Sequence, residues 1–135
     1  MSLDNESMTI YGDSISGNCL KVKFVADRLG LPYDWVEVSV LKGETRTPDF
    51  LAMNPAGQVP VVLFADDGPL AQSNAIMLHL AQNTDLIPDD AFDRALMFQW
   101  LFWEQKFVEV LSRNINGLME ASIAVGTPGA RAIFQ

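Results

Sequence analysis

At 135 residues the chain has about one domain's length, enough to bury a core without disulfides. Nine Lys and Arg against 17 Asp and Glu leave a net charge of −8. That balance argues against a nucleic-acid or anionic-membrane partner, since both need basic side chains. The 49% apolar content marks a globular chain. Cys19 is the only cysteine, which excludes a disulfide framework or a cysteine-based metal site within one chain and points to a reducing, cytoplasmic setting. Met1–Glu6 has neither a basic region nor an apolar core and does not read as a signal peptide. The apolar runs fall well short of the ~18 residues that span a bilayer.

Met8–Tyr11 predicts a short strand. From Gly17 to Leu29 the apolar positions Cys19, Val22, Val25, Ala26 and Leu29 share one helical face; Gly30 stops that helix and Pro32 follows. Tyr33–Val40 alternates as a second strand, and Lys42–Arg46 is a polar loop. Pro48–Met53 predicts one or two helical turns, closed by Asn54-Pro55. Val59–Phe64 is β-branched and apolar, a buried strand; Asp66-Asp67-Gly68 is a turn, and Pro69–Ala71 the last strand. Ser73 is placed as the cap of a largely apolar helix over Asn74–Gln82.

This β-α-β-α-β-β-α order predicts an α/β unit over residues 8–83 with a mixed four-stranded sheet. Residues 84–91, around Pro88-Asp-Asp90, form a linker, and 92–135 a partial all-α unit. In that unit Phe92, Leu96, Trp100, Trp103, Phe107, Val110 and Leu111 keep helical spacing to about Ile115, with Met97, Leu101 and Val108 on a second apolar face. One helix cannot bury two faces alone, so a dimer or further helices are expected.

The stretch Tyr11–Lys23 runs from a strand through a polar turn into a helix, with Ser16 at the helix start. Unpaired N–H groups and the positive dipole end favour an anion or thiolate there. On its own, Ser16 also reads simply as an N-cap, and Ser14 competes for any functional role. Asn54-Pro-Ala-Gly-Gln-Val-Pro60 and Gln72-Ser73 complete a candidate site for a small anionic thiol. His79, the only histidine, stands in an apolar run and reads as packing, and no metal site is expected.

Ser16-Gly-Asn-Cys-Leu-Lys-Val22, Leu29-Gly-Leu-Pro-Tyr33, Asn54–Pro60, Asp67-Gly68 and Gln72-Ser-Asn-Ala-Ile76 occur in the order of the cytosolic glutathione transferase family, which the chain resembles closely over Thr9–Leu80 and more loosely over Arg94–Phe107. The resemblance implies a thioredoxin-like domain that binds glutathione, followed by part of the family's all-helical domain. Its serine-type members place a hydroxyl six residues before the first helix's Val, and Ser16 stands so before Val22. The implied role of Ser16 is to donate to the glutathione sulfur and hold it as thiolate for attack on a small electrophile, a detoxification chemistry. A thiol near pKa ~8.5 needs about 2.7 kcal/mol to fall by two units. One hydrogen bond to a charged acceptor contributes about 1.5–3 kcal/mol and the helix end about 0.3–1.

The resemblance further implies a cis Val59-Pro60 bond, with the segment Gln58, Val59 and Pro60 pairing with the cysteinyl backbone of glutathione. Gln72 and Ser73 would take the γ-glutamyl end. Lys42, in preference to Arg46, would meet the glycine carboxylate. The dimer expected from the two-faced helix is a homodimer. Ser16-Gly-Asn-Cys19 is similar to a Cys-x-x-Cys redox site with its first thiol replaced, and Cys19 falls on the buried face. A glutathione-dependent redox or isomerase activity needs Cys19 accessible. A non-catalytic binding module that keeps the fold is the other alternative, as is a fragment of a longer protein.

Overall fold

The computed structural model describes residues 7–124, with side chains described as far as Val110. The elements are β1 (Met8–Gly12), α1 (Gly17–Arg28), β2 (Asp34–Glu37), a 3-10 turn (Glu44–Arg46), α2 (Pro48–Met53), β3 (Val61–Phe64), β4 (Gly68–Ala71), α3 (Ser73–Ala81) and α4 (Ala91–Ala124). They fall into two compact units divided between Ala91 and Phe92.

In the first unit the strands order as β2-β1-β3-β4. β1 and β2 are parallel, and β3 runs antiparallel to both of its neighbours, so the sheet is mixed as expected. Strand alternation sorts the core into two layers. Met8 and Ile10 of β1 and Val62 and Phe64 of β3 face Val22 and Ala26 of α1 and Ile76 and Leu80 of α3. On the opposite face Val61 packs with Val38 and Phe50 of α2, flanked by Tyr11, Met53 and Val59. The sheet is thus sandwiched between α1 and α3 on one side and α2 on the other.

The helical face expected in α1 is the one that is buried: Cys19, Val22 and Ala26 are inaccessible, and Val25 and Leu29 pack against the same cluster. Thr47 caps α2 by accepting from the Phe50 N–H at 3.2 Å, with Pro48 in the first turn, where its missing N–H costs nothing. β2 is shorter than the alternating run Tyr33–Val40. It is an edge strand; after Glu37 only the Val38 N–H still reaches β1, at the Gly12 carbonyl, and the chain then turns at Val40–Gly43. β3 starts at Val61, not Val59, because Pro60 has no N–H to donate to the ladder. His79 is a packing residue as expected, edge-on to Phe64 at 5.0 Å between ring centroids.

The second unit contains α4, which runs past Ile115 to Ala124 and so exceeds its expected length. Along it Trp100 meets Trp103 edge-on and Trp103 stacks on Phe107, at 5.8 and 5.7 Å between centroids. Among the described residues no helix is long and apolar enough to cross a membrane. Of the remainder Gly117–Gln135, residues 125–135 lie outside the described residues.

Candidate functional site

The sheet register gathers the sequence-predicted residues at one edge. Gly12, the last residue of β1, pairs with Glu37 at the end of β2. Tyr11 pairs with Val61 at the start of β3, and Val61 with Ala71 at the end of β4. The turn holding Ser16, the turn holding Lys42, the segment Gln58–Pro60 and the pair Gln72-Ser73 therefore all leave the sheet at the same end.

Ser16 is the N-cap of α1: extended backbone, with Oγ accepting from the Cys19 N–H at 3.4 Å. The bland and the functional roles are compatible, since a hydroxyl that accepts one bond keeps its own hydrogen to donate. Ser14 is exposed, and its backbone N–H goes to Glu37 Oε1 at 2.7 Å. Ile15 donates its N–H to Asp13 Oδ1 at 3.2 Å, and Ser16 donates to the Asp13 carbonyl at 2.9 Å. Among the described hydrogen bonds the N–H groups of Gly17 and Asn18 remain without a protein acceptor. These two donors and the Ser16 hydroxyl are what the start of α1 offers an anion.

Ser73 departs from expectation. It is the first residue of α3 and not its cap; Gln72 holds the cap position with φ +74° and no side-chain cap bond. Ser73 is buried, and its hydroxyl donates to Asn18 Oδ1 at 3.3 Å. Next to it Lys21 Nζ donates to Asn74 Oδ1 at 3.1 Å. Two cross-bonds thus lock the start of α3 to the first turns of α1, and bring Ser73 to the helix start that carries Ser16. Gln72, exposed and in the left-handed region, is turned out of the helix.

The Val59-Pro60 bond is cis. The loop before it is organised by Asn54, which is 7% exposed. Its Oδ1 accepts from the Ala56 N–H and its Nδ2 donates to the Gln58 carbonyl, at 3.2 and 2.9 Å. Gly57 is required here: its φ is +63°, and a Cβ would lie 3.3 Å from the Thr45 carbonyl oxygen. Lys42 is exposed in the turn before the 3-10 segment. Only its backbone is fixed, donating to Ser39 Oγ at 3.3 Å; its ammonium meets no other site residue among the described bonds.

Cys19 is fully buried, and burial pushes its thiol pKa up, against the Ser16 hydrogen bond, which lowers it. The Asp13 and Glu37 charges also raise it. The buried thiol removes the ground for a redox site at this position. Glu37 is held below the ordinary carboxylate range by the Ser14 N–H and the Trp35 indole N–H, the latter at 2.8 Å from Oε2. Among the described residues there is no cluster of three or more His, Cys, Asp or Glu side chains placed to hold a metal ion.

Residues the sequence did not single out do much of the assembly beside Asn54: Asp13, Asn18 and Glu37. Asn54 was visible as part of a turn motif. Asp13 could have been found as an acidic residue just ahead of a helix start, where its carboxyl can take local N–H groups. Nothing local marks Asn18 or Glu37, whose partners lie 55 and 23 residues away.

The match to known proteins follows the same elements. Residues 15–83 match the family described as glutathione S-transferase, N-terminal domain. Glutathione S-transferase 1 of Dianthus caryophyllus is 35% identical over 125 residues, covering 90% of this chain and 53% of that protein. A solved structure of a possible glutathione S-transferase from Rhodopseudomonas palustris superposes with a TM-score of 0.73 at 47% identity, covering 82% of this chain and 56% of the other. A structure of Ure2p in complex with glutathione gives 0.68 at 30% identity, covering 74% and 45%. The mixed four-stranded sheet with its helices is the thioredoxin-like fold of these N-terminal domains. The chain belongs to the glutathione S-transferase family. It spans about half the length of the curated relative it matches.

Proposed function

We propose that residues 8–83 bind glutathione at this end of the sheet, and that Ser16 holds its sulfur as thiolate for attack on a small electrophilic molecule. The observation that supports the reading is the joining of α1 and α3 by the Asn18–Ser73 bond, which sets Ser73 against the first turn of the helix that Ser16 caps. Glutathione has an anion to place at each of these helix starts: the thiolate at the start of α1 and the γ-glutamyl carboxylate at the start of α3. Val59, ahead of Pro60, offers backbone N–H and C=O to the cysteinyl unit between them. Gln58 keeps its side chain for the ligand, its carbonyl being taken by Asn54. Gln72 serves the γ-glutamyl ammonium, and Lys42 the glycine carboxylate. The family match and a glutathione-bound neighbour support the same ligand.

Ser16 then supplies a donor aimed at the developing negative charge, which is how a fixed hydroxyl lowers a thiol's pKa. The expected effect of Ser16→Ala is a rise of about one to two units in the pKa of bound glutathione, from the ~1.5–3 kcal/mol of one charge-assisted bond. Ultraviolet titration of the thiolate reads this directly. An unchanged pKa together with unchanged turnover removes Ser16 from the role. A second reading is binding without transfer, since one glutathione-bound neighbour carries the name Ure2p and not that of a transferase. Glutathione binding by calorimetry with no turnover of aryl halide electrophiles would select it.

A further inference from the structure

Asp13 is the most fully engaged polar residue near the site, and the proposed chemistry leaves it unused. It is 5% exposed. Each of its polar groups has a partner: Oδ1 takes the Ile15 N–H at 3.2 Å, and Oδ2 takes the Val40 N–H at 3.1 Å. Its carbonyl accepts from the Ser16 N–H at 2.9 Å, and its own N–H points to Cys19 Sγ at 3.4 Å. Val40 begins the turn that carries Lys42, and the Gly43 N–H closes that turn back on the Val40 carbonyl. One buried side chain therefore ties the serine turn to the turn 27 residues further along the chain.

We propose that Asp13 is a positioning residue: it fixes the Ser14–Ser16 turn against the Val40–Gly43 turn, so that the Ser16 hydroxyl stays within reach of the glutathione sulfur. This rests on the reading of the site as a glutathione site.

A competing effect makes the proposal testable by sign. A negative charge beside a thiol disfavours the thiolate, and the Asp13 charge already acts this way on Cys19. If Asp13 acted only through its charge, Asp13→Asn would lower the pKa of bound glutathione. If it acts by position, Asp13→Asn raises it. An amide in that place presents N–H₂ to one of the two N–H donors and releases either the serine turn or the Lys42 turn.

The experiment titrates glutathione bound to the wild-type chain, to Asp13→Asn, to Ser16→Ala and to the double variant, by ultraviolet thiolate absorbance. The expected result is an upward shift of about one unit in Asp13→Asn, a tenfold fall in the thiolate-to-thiol ratio at fixed pH. The upward shift should be lost in the Ser16→Ala background, leaving at most the small downward shift of the removed charge, because Asp13 acts through Ser16. A downward shift or no shift in Asp13→Asn alone, or the same upward shift without Ser16, overturns the proposal while leaving the glutathione site standing. A wild-type chain that binds no glutathione overturns the site itself and the proposal with it. Should Asp13→Asn fail to fold, amide exchange on the free wild-type chain decides. Slow exchange at Ile15 and Val40 supports the tie, and exchange as fast as at the exposed neighbouring amides refutes it.

Discussion

Gly12→Ala tests how tightly the corner under the serine turn is packed. Gly12 lies outside the left-handed region, so its backbone does not ask for glycine. At such a position alanine ordinarily stabilises by about 0.4–1 kcal/mol, by narrowing the unfolded ensemble. Here a Cβ would lie 2.7 Å from Trp35 Cη2, 2.9 Å from Trp35 Cζ2 and 3.2 Å from Cys19 Cβ. Ordinary carbon contacts are about 3.5–4.0 Å. The indole is not free to swing, because Nε1 is tied to Glu37 at 2.8 Å, and Cys19 is fully buried. Overpacking of this kind costs about 1–3 kcal/mol, so the net effect is a loss of about 1–2 kcal/mol and not a gain. At roughly 4 °C per kcal/mol, thermal unfolding followed by circular dichroism should drop by about 4–8 °C. A midpoint unchanged or raised would refute the packing argument. Trp35→Phe, whose ring stops short of Cζ2 and Cη2, should recover much of the loss, giving a coupling of at least about 0.5 kcal/mol. Strict additivity would place the strain elsewhere.

Two further outcomes follow from the ionisable groups. The Cys19 thiol, buried with its pKa raised, should resist iodoacetamide in the native chain and react fully only in denaturant; rapid native alkylation would reopen a redox role. The Glu37 carboxyl has its folded pKa depressed by the Ser14 and Trp35 N–H groups, so the stability it adds is present above the ordinary glutamate range and lost as pH falls through the depressed value. Glu37 is exposed, which limits that contribution to less than about 1 kcal/mol. Glu37→Gln should flatten the acid limb of a stability-versus-pH curve by that amount, and an acid limb of unchanged slope would count against the pairing.

Helix α1 was legible because its burial follows from period alone, and the motif loops were legible because glycine, proline and asparagine have few backbone options. Gly57 and Asn54 show this: the turn was read from their identities, and the structure supplies only their partners. The cap of α3 was misread for a physical reason. Serine is a strong cap by preference, yet here its hydroxyl has a tertiary partner in Asn18, and the chain accepts Gln72 at φ +74° with no cap bond. The local rule lost to a contact 55 residues away. The same limit hid Asp13 and Glu37, whose roles depend on β1 lying beside β2 in parallel.

On the proposed reading, that arrangement sets how a thiolate would be held. Two carboxylates, Asp13 and Glu37, flank the serine turn, while the Lys21 ammonium is bonded across to Asn74. The two carboxylates work against an anion at the serine turn. The roughly 2.7 kcal/mol needed for two pKa units would then come from directed donors, the Ser16 hydroxyl and the N–H groups of Gly17 and Asn18. Such donors lose most of their effect once distance or angle drifts, since hydrogen bonds weaken steeply away from alignment. A site that depends on donors against an unfavourable field depends on whatever fixes their geometry. The proposal would explain why all the polar groups of a buried carboxylate are committed to holding backbone, at the cost of a negative charge beside the proposed sulfur position. The bound-thiol pKa should accordingly respond more to Asp13→Asn than to added salt; a shift that salt reproduces would assign control to the field instead.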